Sequence, residues 1–273
     1  MLIKSIILGA IQGLTEFLPI SSSGHLVIFK SFLDIETQGV IWEISLHFST
    51  LLAIFGVFYK DIFLILKSVC HSFKKLISGE SITSTFRDDI HTRTFLLIIM
   101  GTIPTVIIAF SFRSSFESLF SKPAVAGYML FVTGTVLWFT KYSLKADGNK
   151  KDLGIIDALV VGTVQGLAIT PGISRSGTTI AAAIFRGVDR ETAARFSFLL
   201  AIPVIMGAMA MMAKDTVTLK NEEISFLIIG SVVAAITGYI SLRILIKIVA
   251  IGKLHLFSYY CWPVGLFVIL FFI

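Results

Sequence analysis

The sequence predicts an all-α polytopic membrane protein with an inverted-topology repeat. Each half is one re-entrant helix hairpin followed by three transmembrane helices. Three observations predict it. The chain of 273 residues is 55% hydrophobic and only 15% charged, whereas soluble domains carry roughly 25% charged residues. Its mean hydropathy is +0.90, and its apolar runs are continuous, unlike the alternating strands of a membrane barrel. Finally, the first part of the chain recurs later in it. Shifted by 153 positions, Gly9, Gln12, Gly13, Leu14, Ile20, Ser21, Ser23 and Gly24 fall on Gly162, Gln165, Gly166, Leu167, Ile173, Ser174, Ser176 and Gly177, all identical. With lipid as the solvent, backbone polar groups must be paired within the chain, which favours helices.

Residues 1–36 are apolar but interrupted by Gln12, Glu16, Pro19, Ser21, Ser22, Ser23 and His25. That run is too broken for a span and too apolar for a soluble loop, so it reads as a helix, a turn inside the membrane and a returning helix. Such backbone is tolerated only where protein covers it or water reaches it. Glu16 and the serine turn follow Ser5 to Leu14 at once, so the segment reads as mature protein and not as a signal peptide. Residues 41–59 are long enough to cross the roughly 30 Å hydrocarbon layer, and they carry Glu43 and His47 one helical turn apart. Residues 60–93 read as a polar loop whose amphipathic first half lies on the membrane surface. Two further spans, 94–112 and 123–140, are joined by a short linker, and a charged loop over 141–152 closes the first half.

The second half restarts at residue 153 with a broken apolar run to residue 185, interrupted by Pro171 to Thr179. Spans follow at 192–213, 224–242 and 254–273. The whole is one membrane domain over 1–273, with repeat one about 1–143 and repeat two about 152–273. An odd number of spans per half inverts the second. With loop 60–93 in the cytoplasm, sixteen of the 23 Lys and Arg lie inside, six outside, and Arg175 lies within the membrane. This is the positive-inside bias, and it accounts for the net charge of +6 without nucleic acid. The first hairpin then enters from outside and the second from inside, and their tips meet, as in inverted-repeat proteins with central sites. Cys70 and Cys261 are too far apart in sequence to suggest a disulfide framework or metal cluster.

Together the tips supply Gln12, Glu16, Ser21, Ser22, Ser23, His25, Ser174, Arg175, Ser176, Thr178 and Thr179. A guanidinium with hydroxyls and helix N-termini suits phosphate oxygens. Gln12 and Glu16, four apart, share a helix face. Glu16 suits either a divalent cation or the orientation of His25 or a serine, and His25 or a serine suits phosphoryl transfer. Some of the serines serve only as helix caps. Arg175 resists that reading, because an intramembrane charge marks a functional site by default. These properties describe a membrane-embedded site for an anionic, phosphorylated ligand and leave turnover and transport both open.

Residues Gln12 to Leu26 resemble the (Glu/Gln)-x-x-x-Glu motif and the following Ser/His segment of the bacterial undecaprenyl-diphosphatases, the bacitracin-resistance family. Pro171 to Thr179 resembles that family's Pro-Gly-x-Ser-Arg-Ser-x-x-Thr motif. The resemblance implies hydrolysis of undecaprenyl diphosphate to undecaprenyl phosphate, which recycles the lipid carrier of peptidoglycan synthesis and confers bacitracin resistance. It implies Glu16, Ser22, His25 and Arg175 as catalytic residues, with Glu16 also a metal ligand. Gln12, Ser21, Ser23, Ser174, Ser176, Thr178 and Thr179 are then the substrate-binding set. Gln12 stands where some members have Glu, which leaves Glu16 as the main acid. The implied cofactor is Mg²⁺ or Ca²⁺, and the implied location is the bacterial plasma membrane, with the site open to the extracytoplasmic side. Expected partners are the lipid substrate, membrane lipid and a second copy of the chain, with no nucleic acid. The alternative reading is a transporter or flippase for a phosphorylated lipid or another anion.

Overall fold

The computed structural model describes residues 2–33, 40–77, 89–145, 152–212 and 221–272, and every regular element among them is helical. In chain order the helices are α1 (Leu2–Phe17), α2 (Ser22–Leu33), α3 (Val40–Ile77), α4 (Ile90–Ser111), α5 (Arg113–Leu119), α6 (Pro123–Phe139), α7 (Ile155–Leu167), α8 (Arg175–Phe185), α9 (Arg190–Met212), α10 (Asn221–Ala250) and α11 (Ser258–Phe272). Short 3₁₀ turns at Tyr142–Lys145 and Leu254–Phe257 precede α7 and α11.

Five segments are long and apolar enough to cross a membrane: Ser45–Lys75, Ile90–Ser111, Arg190–Met211, Ile224–Ala250 and Leu254–Phe272. The 17-residue α6 is shorter but equally apolar in character. Phe63, Phe110, Phe131, Ile236 and Leu270 on these helices are exposed, as expected of side chains that face lipid. The hairpin helices α1, α2, α7 and α8 have 16, 12, 13 and 11 residues, a rise of about 24, 18, 20 and 17 Å. None reaches across the roughly 30 Å layer.

The long helices depart from the sequence reading mainly at their ends. Helix α3 does not stop near residue 59 but runs 38 residues to Ile77, broken only at Phe58 (φ −103°, ψ 20°). Ile62 to Leu66 is apolar and free of Gly and Pro, so nothing ends the helix after the Lys60–Asp61 pair. The break lies two residues beyond Gly56, a common site of helix bending. Asp61 then meets Arg195 of α9 at 3.0 Å. Helix α4 starts at Ile90, earlier than the hydropathy suggested, because Asp89 caps it by accepting from His91 N at 3.0 Å. The linker after α4 contains the helix α5, and α10 continues to Ala250.

Packing between the halves is reciprocal. Helix α1 lies along α10, and its repeat counterpart α7 lies along α4; α6 lies against α11. Glycines make the crossings close. A Cβ on Gly9 would stand 2.2 Å from Gly230 O, and one on its counterpart Gly162 would stand 1.9 Å from Gly101 O. Thr105 Oγ1 donates to Gly162 O at 2.7 Å across the second crossing. Small residues give membrane helices close backbone approach in this way. Gly162→Ala forces α7 and α4 apart and is expected to cost about 1–3 kcal/mol, the usual penalty of overpacking. Thermal unfolding in detergent checks it. Exposed Gly207, which a Cβ would leave free of any contact within 4 Å, is the control site and is expected to tolerate alanine.

Beneath the first hairpin, Phe17, Phe58 and Phe198 form a buried aromatic cluster. The Phe17 and Phe198 rings meet edge to face at 5.8 Å, and those of Phe58 and Phe198 stack at 6.0 Å.

Candidate active site

The two turns are built alike. In each, a serine precedes the returning helix and caps it: Ser21 Oγ accepts from Gly24 N at 3.2 Å, and Ser174 Oγ accepts from Gly177 N at 3.1 Å. Capping hydroxyls satisfy backbone donors that the first helical turn leaves unpaired. The turns differ in where the backbone turns left-handed. The second uses Gly172 (φ 95°), whereas the first uses Ser21 (φ 68°), the one non-glycine residue with positive φ among those described. Strain of this kind persists only where neighbours fix it, and it clusters at functional sites. Here His25 N, Gly24 N and Gly172 N all donate to Ser21, at 3.1, 3.2 and 3.1 Å.

The tips touch, as the repeat predicts. Besides the Gly172–Ser21 bond, Ser176 Oγ donates to Phe17 O at 2.9 Å, and a Cβ on Gly24 would stand 2.9 Å from the Gly172 Cα. This contact puts the charges together. Arg175 Nη2 donates to Glu16 Oε1 at 2.6 Å. On the other carboxylate oxygen, Ser22 Oγ donates to Oε2 at 2.6 Å and Gln12 Nε2 donates at 3.0 Å. Glu16 is thus held by a cation, a hydroxyl and an amide. Its side chain is 7% exposed and that of Arg175 16%. Two polar atoms of this array are buried without a partner among the described residues, Arg175 Nη1 and Gln12 Oε1. The Nδ1 of His47 on α3 is likewise buried without a partner among the described residues. The side chain of Glu43 lies outside the described residues.

The remaining hydroxyls are largely committed. Thr178 Oγ1 donates to Ser174 O at 2.7 Å, and Thr179 Oγ1 donates to Arg175 O at 2.6 Å while also meeting Ser197 Oγ at 2.6 Å. Ser174 and Ser176 are buried, the first as a cap and the second as the tip-to-tip bond. Ser23 is half-buried and reaches only Ser21 Oγ, at 3.3 Å. His25 sits apart from the ion pair. Its Nδ1 faces Ser21 O and its Nε2 faces Tyr260 Oη, each at 2.8 Å.

Glu16, Ser22, Gln12 and Arg175 are therefore brought into one array, with His25 behind Ser21. Nothing in the sequence points to Tyr260, Thr133 or Ser197 as site residues. Thr133 Oγ1 donates to Gly172 O at 2.9 Å and accepts from Ser174 N at 3.1 Å, fixing the second turn. All three lie in runs that read as plain spans. Each is one hydroxyl among others in its run, and hydroxyls in membrane helices usually bond their own backbone.

The donors suit a hard cation. Glu16 supplies a carboxylate, and Gln12 Oε1 is a buried oxygen awaiting a partner. No group of three or more His, Cys, Asp and Glu that could hold a metal ion occurs among the described residues. A cation here would complete its shell from water and phosphate oxygens, the habit of Mg²⁺.

A family model described as "Bacitracin resistance protein BacA" matches residues 5–267. The chain is 44% identical to the undecaprenyl-diphosphatase of Desulfatibacillum aliphaticivorans over 267 residues, 96% of each chain. It is 42% identical to that of Halothermothrix orenii over 269 residues, 98% of this chain and 96% of the relative. Identity to the undecaprenyl-diphosphatase of Methanobrevibacter smithii is 36% over 268 residues, 98% of this chain and 96% of the relative.

Proposed function

The chain belongs to the bacitracin resistance protein BacA family, and from that premise we propose that it is an integral membrane undecaprenyl-diphosphatase. It cleaves the lipid diphosphate to lipid monophosphate and orthophosphate, so returning the carrier to envelope synthesis. The observation that carries the chemistry is the array Arg175–Glu16–Ser22, with 2.6 Å contacts on both carboxylate oxygens.

In this reading the diphosphate enters beside Arg175, whose unpartnered Nη1 takes a phosphate oxygen. Ser22 Oγ attacks the terminal phosphorus and passes its proton to Glu16 Oε2, against which it already rests. The bond from that phosphorus to the bridging oxygen breaks, and the lipid leaves as its monophosphate. Water then releases orthophosphate from the serine, and the serine recovers its proton. Arg175 stabilises charge that develops on the transferred group, the main source of rate in phosphoryl transfer. Glu16 and Gln12 are the residues that would hold Mg²⁺ or Ca²⁺. When bound, the cation supplies charge neutralisation on the diphosphate and its leaving group. Every protein group in this scheme comes from one chain, so a second copy is not required for the chemistry.

The scheme places the protein in the bacterial plasma membrane with its site open to the extracytoplasmic side. That orientation rests on the excess of Lys and Arg in the loops assigned to the cytoplasm. Release of orthophosphate from undecaprenyl diphosphate by purified protein, with and without chelator, tests the reading. Expected are turnover with Mg²⁺ or Ca²⁺ and at least about a hundredfold loss on chelation, since neutralising a phosphoryl transition state is worth several kcal/mol. Translocation of the lipid in proteoliposomes without any orthophosphate release would replace the phosphatase by a transporter.

A further inference from the structure

The imidazole of His25 is buried, yet it makes no hydrogen bond to Glu16, Ser22 or Arg175 among the described contacts. Its partners are other groups. Nδ1 faces the carbonyl oxygen of Ser21 at 2.8 Å. A carbonyl only accepts, so Nδ1 carries the hydrogen, and in the neutral ring Nε2 is left as an acceptor. Nε2 meets the hydroxyl of Tyr260 at 2.8 Å. The two rings also stack, with centroids 5.7 Å apart and planes 16° from parallel, and Phe29 stacks on His25 at 6.5 Å. The imidazole is therefore clamped at both nitrogens and against two rings. Tyr260 belongs to α11, 235 residues along the chain from His25.

What the clamp holds is the strained residue. His25 grips Ser21 twice, through its backbone N at 3.1 Å and through Nδ1 at 2.8 Å. Ser21, at φ 68°, sets the direction in which the chain enters Ser22, and Ser22 Oγ must reach Glu16. Resting on the phosphatase reading above, we infer that Tyr260 is a positioning residue for the hydrolytic centre. It acts through His25 and Ser21 to hold the Ser22 hydroxyl on Glu16. Its hydroxyl fixes the imidazole, the imidazole holds the left-handed turn, and the turn aims the serine. The last helix, which otherwise reads as a lipid-facing anchor, thereby takes part in the reaction geometry without touching the reacting atoms.

Tyr260→Phe tests this, because it removes one oxygen and keeps the stacked ring. The expected result is a loss in kcat of about three- to tenfold, the worth of one hydrogen bond, with KM changed by less than about twofold. In protein labelled with ¹⁵N-histidine, the His25 Nε2 resonance moves in the variant while the Nδ1-hydrogen tautomer is kept. The neighbouring Tyr259→Phe, whose ring meets Trp138 and not His25, leaves kcat and the His25 resonances unchanged. A Tyr260→Phe enzyme with wild-type kcat, or one that loses only KM, overturns the inference while the phosphatase reading stands. An unmoved Nε2 resonance overturns it equally. If the wild-type protein releases no orthophosphate, the phosphatase reading fails first and this role falls with it.

Discussion

Arg175→Ala is expected to lower orthophosphate release from undecaprenyl diphosphate by about a thousandfold. Removing one preorganised charge-stabilising group costs roughly 10²–10³ in rate, and an arginine on a transferring phosphoryl group up to about 10⁵. The lower part of that range applies because helix N-termini, and a cation if one is held at Glu16, would also stabilise the charge. Arg175→Lys is expected to recover less than about a tenth of the lost activity. Lysine cannot hold Glu16 with one nitrogen and present a second, fixed donor to phosphate, which is the division between Nη2 and Nη1 seen here. The alanine variant is also less stable. It leaves a carboxylate whose side chain is only 7% exposed without its cation, and breaking a buried pair in this way costs about 3–5 kcal/mol. Because the two effects have different readouts, steady-state rates should be taken below the melting temperature of the variant. A variant that melts early but turns over normally when folded would reduce Arg175 to a structural counter-ion.

Much of this site was legible because membranes make polar residues conspicuous. Arg175 and Glu16 stand out as charges in apolar runs, and the 153-position repeat predicts that they meet. In the structure the turns meet at Ser21–Gly172 and Phe17–Ser176, and Arg175 bonds Glu16. The sequence could not say how the hydroxyls are shared. Thr178 and Thr179 read as ligand groups, and in the structure each hydroxyl donates to the carbonyl a turn behind it. Nor could it place the His25 ring, since one of the groups that hold it, Tyr260, lies 235 residues along the chain. Helix ends were misread for a related reason. Lys60 and Asp61 looked like a membrane boundary, but Asp61 finds Arg195 on a neighbouring helix and α3 continues.

Glu16→Gln separates the roles gathered on one carboxylate. Glutamine keeps the shape and one of the two acceptor oxygens, so it can accept from Arg175 or from Ser22 but not from both, and it cannot take a proton. If Glu16 is the base for Ser22, turnover falls by about 10²–10⁴, close to the loss in Ser22→Ala. The double variant then loses no more than the worse single one, because groups that act as a unit are not additive. If Glu16 serves only to orient Arg175, the two losses multiply, and Glu16→Gln alone costs far less than Ser22→Ala. Binding of a non-hydrolysable lipid diphosphate adds the needed control, since Arg175 remains in every one of these variants. Retained affinity with lost turnover places the Glu16–Ser22 contact, 2.6 Å between heavy atoms, on the path of the proton. Loss of affinity in equal measure would instead assign the carboxylate to substrate or cation binding, and the serine would need another base.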